Sequence, residues 1–98
     1  MSATPQTADD PEIHIAGVLV QARPAAVAAL RTQIGSLAGA ELVGAGDDGR
    51  IAVVVEGVGA ASVLQVLDAL RELPGVLNVA LVYQHAEARS ALQEGVPP

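Results

Sequence analysis

Cysteine, lysine, phenylalanine and tryptophan are all missing from this 98-residue chain, and Tyr83 is its one aromatic residue. Each absence excludes something. Without cysteine there are no disulfides, no thiol nucleophile and no thiolate metal site. Without aromatics the core must be built from Val, Leu, Ile and Ala. An RNA-binding sheet with stacking side chains on its central strands is also ruled out. Five Arg stand against eleven Asp and Glu, a formal charge of −6. Phosphate backbones are repelled by such a domain, and no nucleic-acid partner is expected. A basic peptide or basic protein surface is the better electrostatic match. No apolar run approaches the roughly 20 residues of a bilayer crossing, so no stable membrane association is expected. "MSATPQTADDPE" has neither a basic n-region nor an apolar h-region, which argues against a secretory signal and for the cytoplasm.

What is present is aliphatic. Hydrophobic residues make up 51% of the chain, enough for one domain with one core. Residues 1–11 carry Pro5, Asp9, Asp10 and Pro11 without apolar periodicity and read as a disordered tail. Residues 87–98 read as a flexible C-terminal tail, with a helical turn expected around Ala88–Gln93. The domain is expected to occupy 12–86.

Inside it, "IHIAGVLVQA" (13–22) has the branched composition of a strand. Pro24 suits a first helical turn, and Val27, Leu30, Ile34 and Leu37 follow at helical spacing up to Gly39. "AELVGA" (40–45) and "RIAVVVEG" (50–57) read as strands joined by the turn "GDDG" (46–49). Val63, Val66, Leu67, Leu70 and Leu73 stripe a second helix that Pro74-Gly75 ends, and 76–84 form the last strand. The halves echo each other, "SLAGAELV" (36–43) against "ELPGVLNV" (72–79). The order βαββαβ predicts an α+β ferredoxin-like sandwich: an antiparallel sheet of order 4-1-3-2 with both helices on one face.

Two helices leave the second face open, and period-two alternation decides what lies there. The bulkier sets are assigned to the core: Ile51, Val53 and Val55; Val79, Leu81 and Tyr83; Ala16, Val18 and Val20. The open face then carries Ile13, Ile15, Gly17, Leu19 and Gln21, with Arg50, Ala52, Val54 and Glu56, and with Asn78, Ala80, Val82 and Gln84. Its middle is apolar and its rim polar, the signature of an interaction surface. Small residues at Gly17, Ala52 and Ala80 predict a shallow trough.

Catalytic constellations fail one by one. His14 and His85 sit at the ends of neighbouring strands but lack a third metal ligand of obvious spacing. "GVGAAS" (57–62) lacks the lysine and the spacing of a phosphate loop, and Ser62 suits a helix first turn. No serine lies in a Gly-x-Ser-x-Gly elbow. Arg23 and Asn78 lack the loop pattern with which hydrolases of this fold hold acyl phosphates. No enzyme, cofactor or metal is expected.

"HIAGVLVQARP" (14–24), "GRIAVVVEG" (49–57) and "LPGVLNVALVYQHAE" (73–87) together resemble the NapD family over residues 13–87. The longer N-terminal tail and Ala-rich helices depart from familiar members. The resemblance implies a ferredoxin-like fold without catalysis: a cytoplasmic chaperone for maturation of periplasmic nitrate reductase. Its implied partner is the twin-arginine signal peptide of the catalytic subunit, held back from export until cofactor insertion is complete. The implied site is the open face, namely Ile15, Gly17, Leu19, Gln21, Ala52, Val54, Glu56, Asn78, Ala80, Val82 and Gln84. A monomer is expected, with weak homodimerisation as its variant. Two rival readings remain open at this point: an ACT-like small-ligand regulatory domain, and a structural homodimer burying its open faces together.

Overall fold

A computed structural model describes residues 12–88. β1 (Glu12–Ala22) leads through a short turn of 3-10 helix (Pro24–Ala26) into α1 (Val27–Gly35). β2 (Ala40–Ala45), β3 (Arg50–Val58), α2 (Ala60–Arg71) and β4 (Val76–Ala88) follow. The four strands form one sheet of order β2-β3-β1-β4 with every neighbouring pair antiparallel. This is the ferredoxin-like α+β topology predicted from the sequence. The N-terminal tail lies outside the described residues, as do positions 89–98 of the expected C-terminal tail and its helical turn; Glu87 and Ala88, assigned to that tail, end β4.

The echo between the two halves is geometric. After α1, the Leu37 N–H donates to the Ile34 carbonyl (3.1 Å); after α2, the Leu73 N–H donates to the Leu70 carbonyl (3.3 Å). Each helix therefore tightens in its last turn and ends before the final residue of its apolar stripe. Gly39 (φ 87°) and Gly75 (φ 92°) then turn the chain into the next strand. At the start of α2 the Ser62 hydroxyl donates to the Val58 carbonyl at 2.9 Å, the first-turn role its position suggested.

The core is aliphatic throughout. Ala16, Val18 and Val20 of β1 and Ile51, Val53 and Val55 of β3 face Leu30 and Ile34 of α1 and Val63, Leu67 and Leu70 of α2. The parity assigned to both central strands is thus the one observed. β4 is longer than the expected 76–84: β1 starts at Glu12 and offers ladder partners as far as Ala88.

The hairpin turn between β2 and β3 is held by the Asp48 carboxylate, which accepts the Arg50 N–H at 3.2 Å. Gly49 closes it at φ 98°, and the Ala22 N–H donates to its carbonyl at 2.8 Å. A Cβ at Gly49 would overlap the Ala22 carbonyl oxygen. Gly49→Ala is therefore expected to lower the urea midpoint by the equivalent of about 2 kcal/mol, combining left-handed strain with a backbone clash. Gly44→Ala, where an added Cβ meets nothing within 4 Å, is the control and is expected to move the midpoint little.

Candidate functional site

Ladder partners share a sheet face, so the register fixes what surrounds each open-face residue. Leu19 lies opposite Ala52 on one side and Ala80 on the other. Gly17 lies opposite Val54 and Tyr83, and Val54 lies opposite Glu41. Ile15 lies between Glu56 and His85, and Gln21 between Arg50 and Asn78. Ile13 belongs to the same face and is buried between Val58 and Glu87.

The edge strands do not keep strict alternation. β4 carries an extra residue between Leu81 and Tyr83, where the register against Gly17 and Val18 shifts. β2 carries one between Leu42 and Gly44. An extra residue in one strand reverses the facing of everything beyond it. Three expectations for β4 are corrected, the first two as a result of its bulge. Tyr83, assigned to the core, stands on the open face and is 51% exposed. Gln84, assigned to the open face, pairs with Ala16 on the helix side. Leu81 keeps its helix-side parity but is 50% exposed, because the helices cover β4 only as far as Val79.

The bulges make the trough. Two of the three extra residues, Val43 and Val82, are 63% and 67% exposed and both line an open-face hollow of about 310 Å³; the third is Leu77 of β4, where the register against Gln21 and Ala22 shifts. The floor of the hollow includes Gly17, Leu19, Ala52 and Val54, and Tyr83 is also in the lining. The Tyr83 ring lies directly on Gly17, where a Cβ would overlap it; the missing side chain leaves room for the ring. Next to Val54, a second hollow of about 280 Å³ is lined by Gly39, Ala40, Glu41 and Glu56. Glu41 and Glu56 take part in no ion pair among the described residues, whereas Glu87 meets His85 at 2.7 Å and Arg50 meets Asp48 at 3.4 Å.

Sequence reasoning missed Val43, Tyr83 and Glu41. A glycine inside a strand, such as Gly44, is a known bulge marker and was a usable signal. The unbroken run Leu81-Val82-Tyr83 was a second one, since no regular alternation accommodates it.

The histidines are separated by the same register. His14 pairs with Ala86 and His85 with Ile15, which places the two imidazoles on opposite faces. His14 approaches Glu12 (3.4 Å) instead. No group of three His, Asp or Glu side chains among the described residues is placed to hold a metal. No helix among them is long and apolar enough to cross a membrane.

A ferredoxin-like sandwich whose sheet face opposite the helices carries an apolar trough with carboxylates at one corner is, in class, a binding module. Comparison with known proteins narrows this. The family model "NapD protein" matches residues 13–88. The chaperone NapD of Escherichia coli strain K12 is 31% identical over 75 residues, spanning 76% of this chain and 86% of that protein. The chaperone NapD of Shigella flexneri gives the same figures. The solution structure of the E. coli Tat proofreading chaperone protein NapD matches with a TM-score of 0.70 at 28% identity, covering 88% of both chains. The chain belongs to the NapD family.

Proposed function

We propose that this protein is a chaperone that binds the twin-arginine signal peptide of the periplasmic nitrate reductase catalytic subunit. In the cytoplasm it holds back export until cofactor insertion into that subunit is complete. It acts as a monomer, without catalysis or a cofactor of its own. The observation that carries this reading is the open trough, in a fold whose relatives are named chaperones and, in one solved case, a Tat proofreading chaperone.

The physical account has two parts. A signal peptide carries an apolar stretch that, coiled as an amphipathic helix, fits a hydrophobic groove. At about 25 cal/mol per Å2, covering several hundred Å2 of trough supplies several kcal/mol against the cost of association. Ile15, Gly17, Leu19, Ala52, Val54, Ala80 and Val82 form this apolar contact, and Val43 and Tyr83 join them. The arginines, which precede the apolar stretch, are held by charge-assisted hydrogen bonds at the rim. Glu56 is the acceptor already expected there, with Gln21 and Asn78 as neutral rim groups.

Calorimetric titration with a twin-arginine signal peptide tests this. Saturable binding is expected, weakened for a twin-lysine variant that lacks the guanidinium fork. Tyr83, as sole aromatic, is a built-in fluorophore whose emission changes on saturation. Absence of binding, or binding that ignores the arginines, sinks the proposal. Sedimentation tests the monomer: a tight dimer that the peptide fails to dissociate favours the structural-homodimer reading.

A further inference from the structure

The trough has an electrostatic direction, and it orients its occupant. Five acidic residues flank the open face or its ends: Glu41, Glu56, Glu87 and, in the turn between β2 and β3, Asp47 and Asp48. Two of them are already answered within the chain, Glu87 by His85 and Asp48 by Arg50. Of the three left without a cation among the described residues, Asp47 lies in the turn between β2 and β3, whereas Glu41 and Glu56 line one and the same hollow beside Val54. They occupy the β2–β3 corner. The diagonally opposite corner, on β4, presents Asn78 beside Gln21, with no acidic side chain in that row of the ladder. Between the corners run Val54, Ala52, Leu19, Val82 and Ala80.

From this charge gradient we infer that an arginine-bearing amphipathic segment lies in the trough with its arginines on Glu41 and Glu56. Its apolar run then extends away from them, across Leu19, towards Asn78. The inference rests on the signal-peptide reading above and adds the partner's direction and a second specificity residue, Glu41, which that reading did not contain. Two carboxylates lining one hollow match two adjacent guanidinium groups, and each pairing is charge-assisted on both sides. A segment laid this way ends with its C-terminal helical turn over the Asn78 and Gln21 amides. Their N–H groups can cap the free carbonyls of that turn. The reverse orientation places those carbonyls against Glu41 and Glu56 and leaves the arginines facing amides only.

The face also sets a length. Val58 pairs with Ile13 and Asn78 with Gln21, so the two ends of the face are eight residues apart along β1. At about 3.4 Å per residue this is roughly 27 Å, a helix of about 18 residues.

The absence of cysteine makes the test clean. Val58→Cys and Asn78→Cys, both at exposed open-face positions, each supply a single thiol at one end. A synthetic twin-arginine signal peptide with a cysteine placed just before the arginines is the probe. Disulfide capture is expected to favour Val58→Cys over Asn78→Cys by at least tenfold. In parallel, E41Q alone is expected to weaken peptide binding about fivefold and E41Q/E56Q at least twentyfold. A peptide with both arginines changed to glutamine should bind the double variant and the unmodified protein alike. Unmodified protein that fails to bind the peptide overturns the proposed function and this inference with it. Normal binding with preferential capture at Asn78→Cys, or with affinity indifferent to E41Q/E56Q, overturns the orientation alone.

Discussion

Leu19→Asp is expected to reduce signal-peptide affinity by more than a hundredfold while the domain stays folded. Leu19 is a central floor residue, flanked on the ladder by Ala52 and Ala80 and lining the trough with Val54 and Val82. An aspartate there sits beneath the apolar face of the bound helix, where no cation of the peptide reaches it. Binding must then desolvate an unpaired carboxylate, at a cost of several kcal/mol, and it forgoes the apolar packing that the leucine supplied. A hundredfold loss corresponds to about 2.7 kcal/mol, well inside that cost. The fold tolerates the change because Leu19 is outside the buried cluster and the new carboxylate stays hydrated in the free protein. Strand preference alone costs about 1 kcal/mol, or roughly 4–8 °C in a domain of this size. Calorimetry beside thermal unfolding checks both halves. Unchanged affinity removes the open face as the site.

Val54→Asp looks equivalent in the sequence and is not. Val54 adjoins the hollow that holds Glu41 and Glu56, so a third carboxylate there reinforces the attraction for arginine while it spoils the apolar floor. Its net effect on affinity is smaller than that of Leu19→Asp, and more sensitive to salt.

These placements depend on register, and register is where the sequence was legible only in part. Element order, strand order and the facing of β1 and β3 follow from periodicity, because central strands are clamped on both sides. Ile51, Val53 and Val55 had nowhere else to point once two helices had to cover one face. The edge strands are clamped on one side only, and there the alternation breaks. A single extra residue in β4 turned Tyr83 outward and Gln84 inward. Nothing in local propensity separates Val82 as a bulge from Val82 as an ordinary strand residue. The decisive partner is Gly17, sixty-six positions before Tyr83, whose missing side chain leaves space for the Tyr83 ring. Glu41 escaped for a simpler reason: β2 is short, and its facing is set by pairing with Val54 rather than by any stripe of its own.

The largest stability effect is expected at Leu30, and it connects the core to the trough. α1 is nine residues long and is anchored by Val27, Leu30 and Ile34. A helix that short does not persist alone, even with Ala28 and Ala29 favouring it. Leu30 is completely buried, in a core that holds no aromatic ring to fill a void left behind. Leu30→Ala should therefore cost about 3 kcal/mol, a large share of the roughly 4–12 kcal/mol available to a domain of this size. The melting temperature is expected to fall by about 12–24 °C. Leu64→Ala, on α2 and 57% exposed, should move it hardly at all. Leu30 lies on the helix side and is not among the residues that line the trough, so whatever Leu30→Ala protein remains folded keeps its site. Signal peptide at a hundred times its dissociation constant stabilises that folded state by about 2.7 kcal/mol. Saturating peptide should accordingly restore most of the lost melting temperature in Leu30→Ala and none in Leu30→Ala/Leu19→Asp. Rescue of both variants alike places the binding energy somewhere other than the trough.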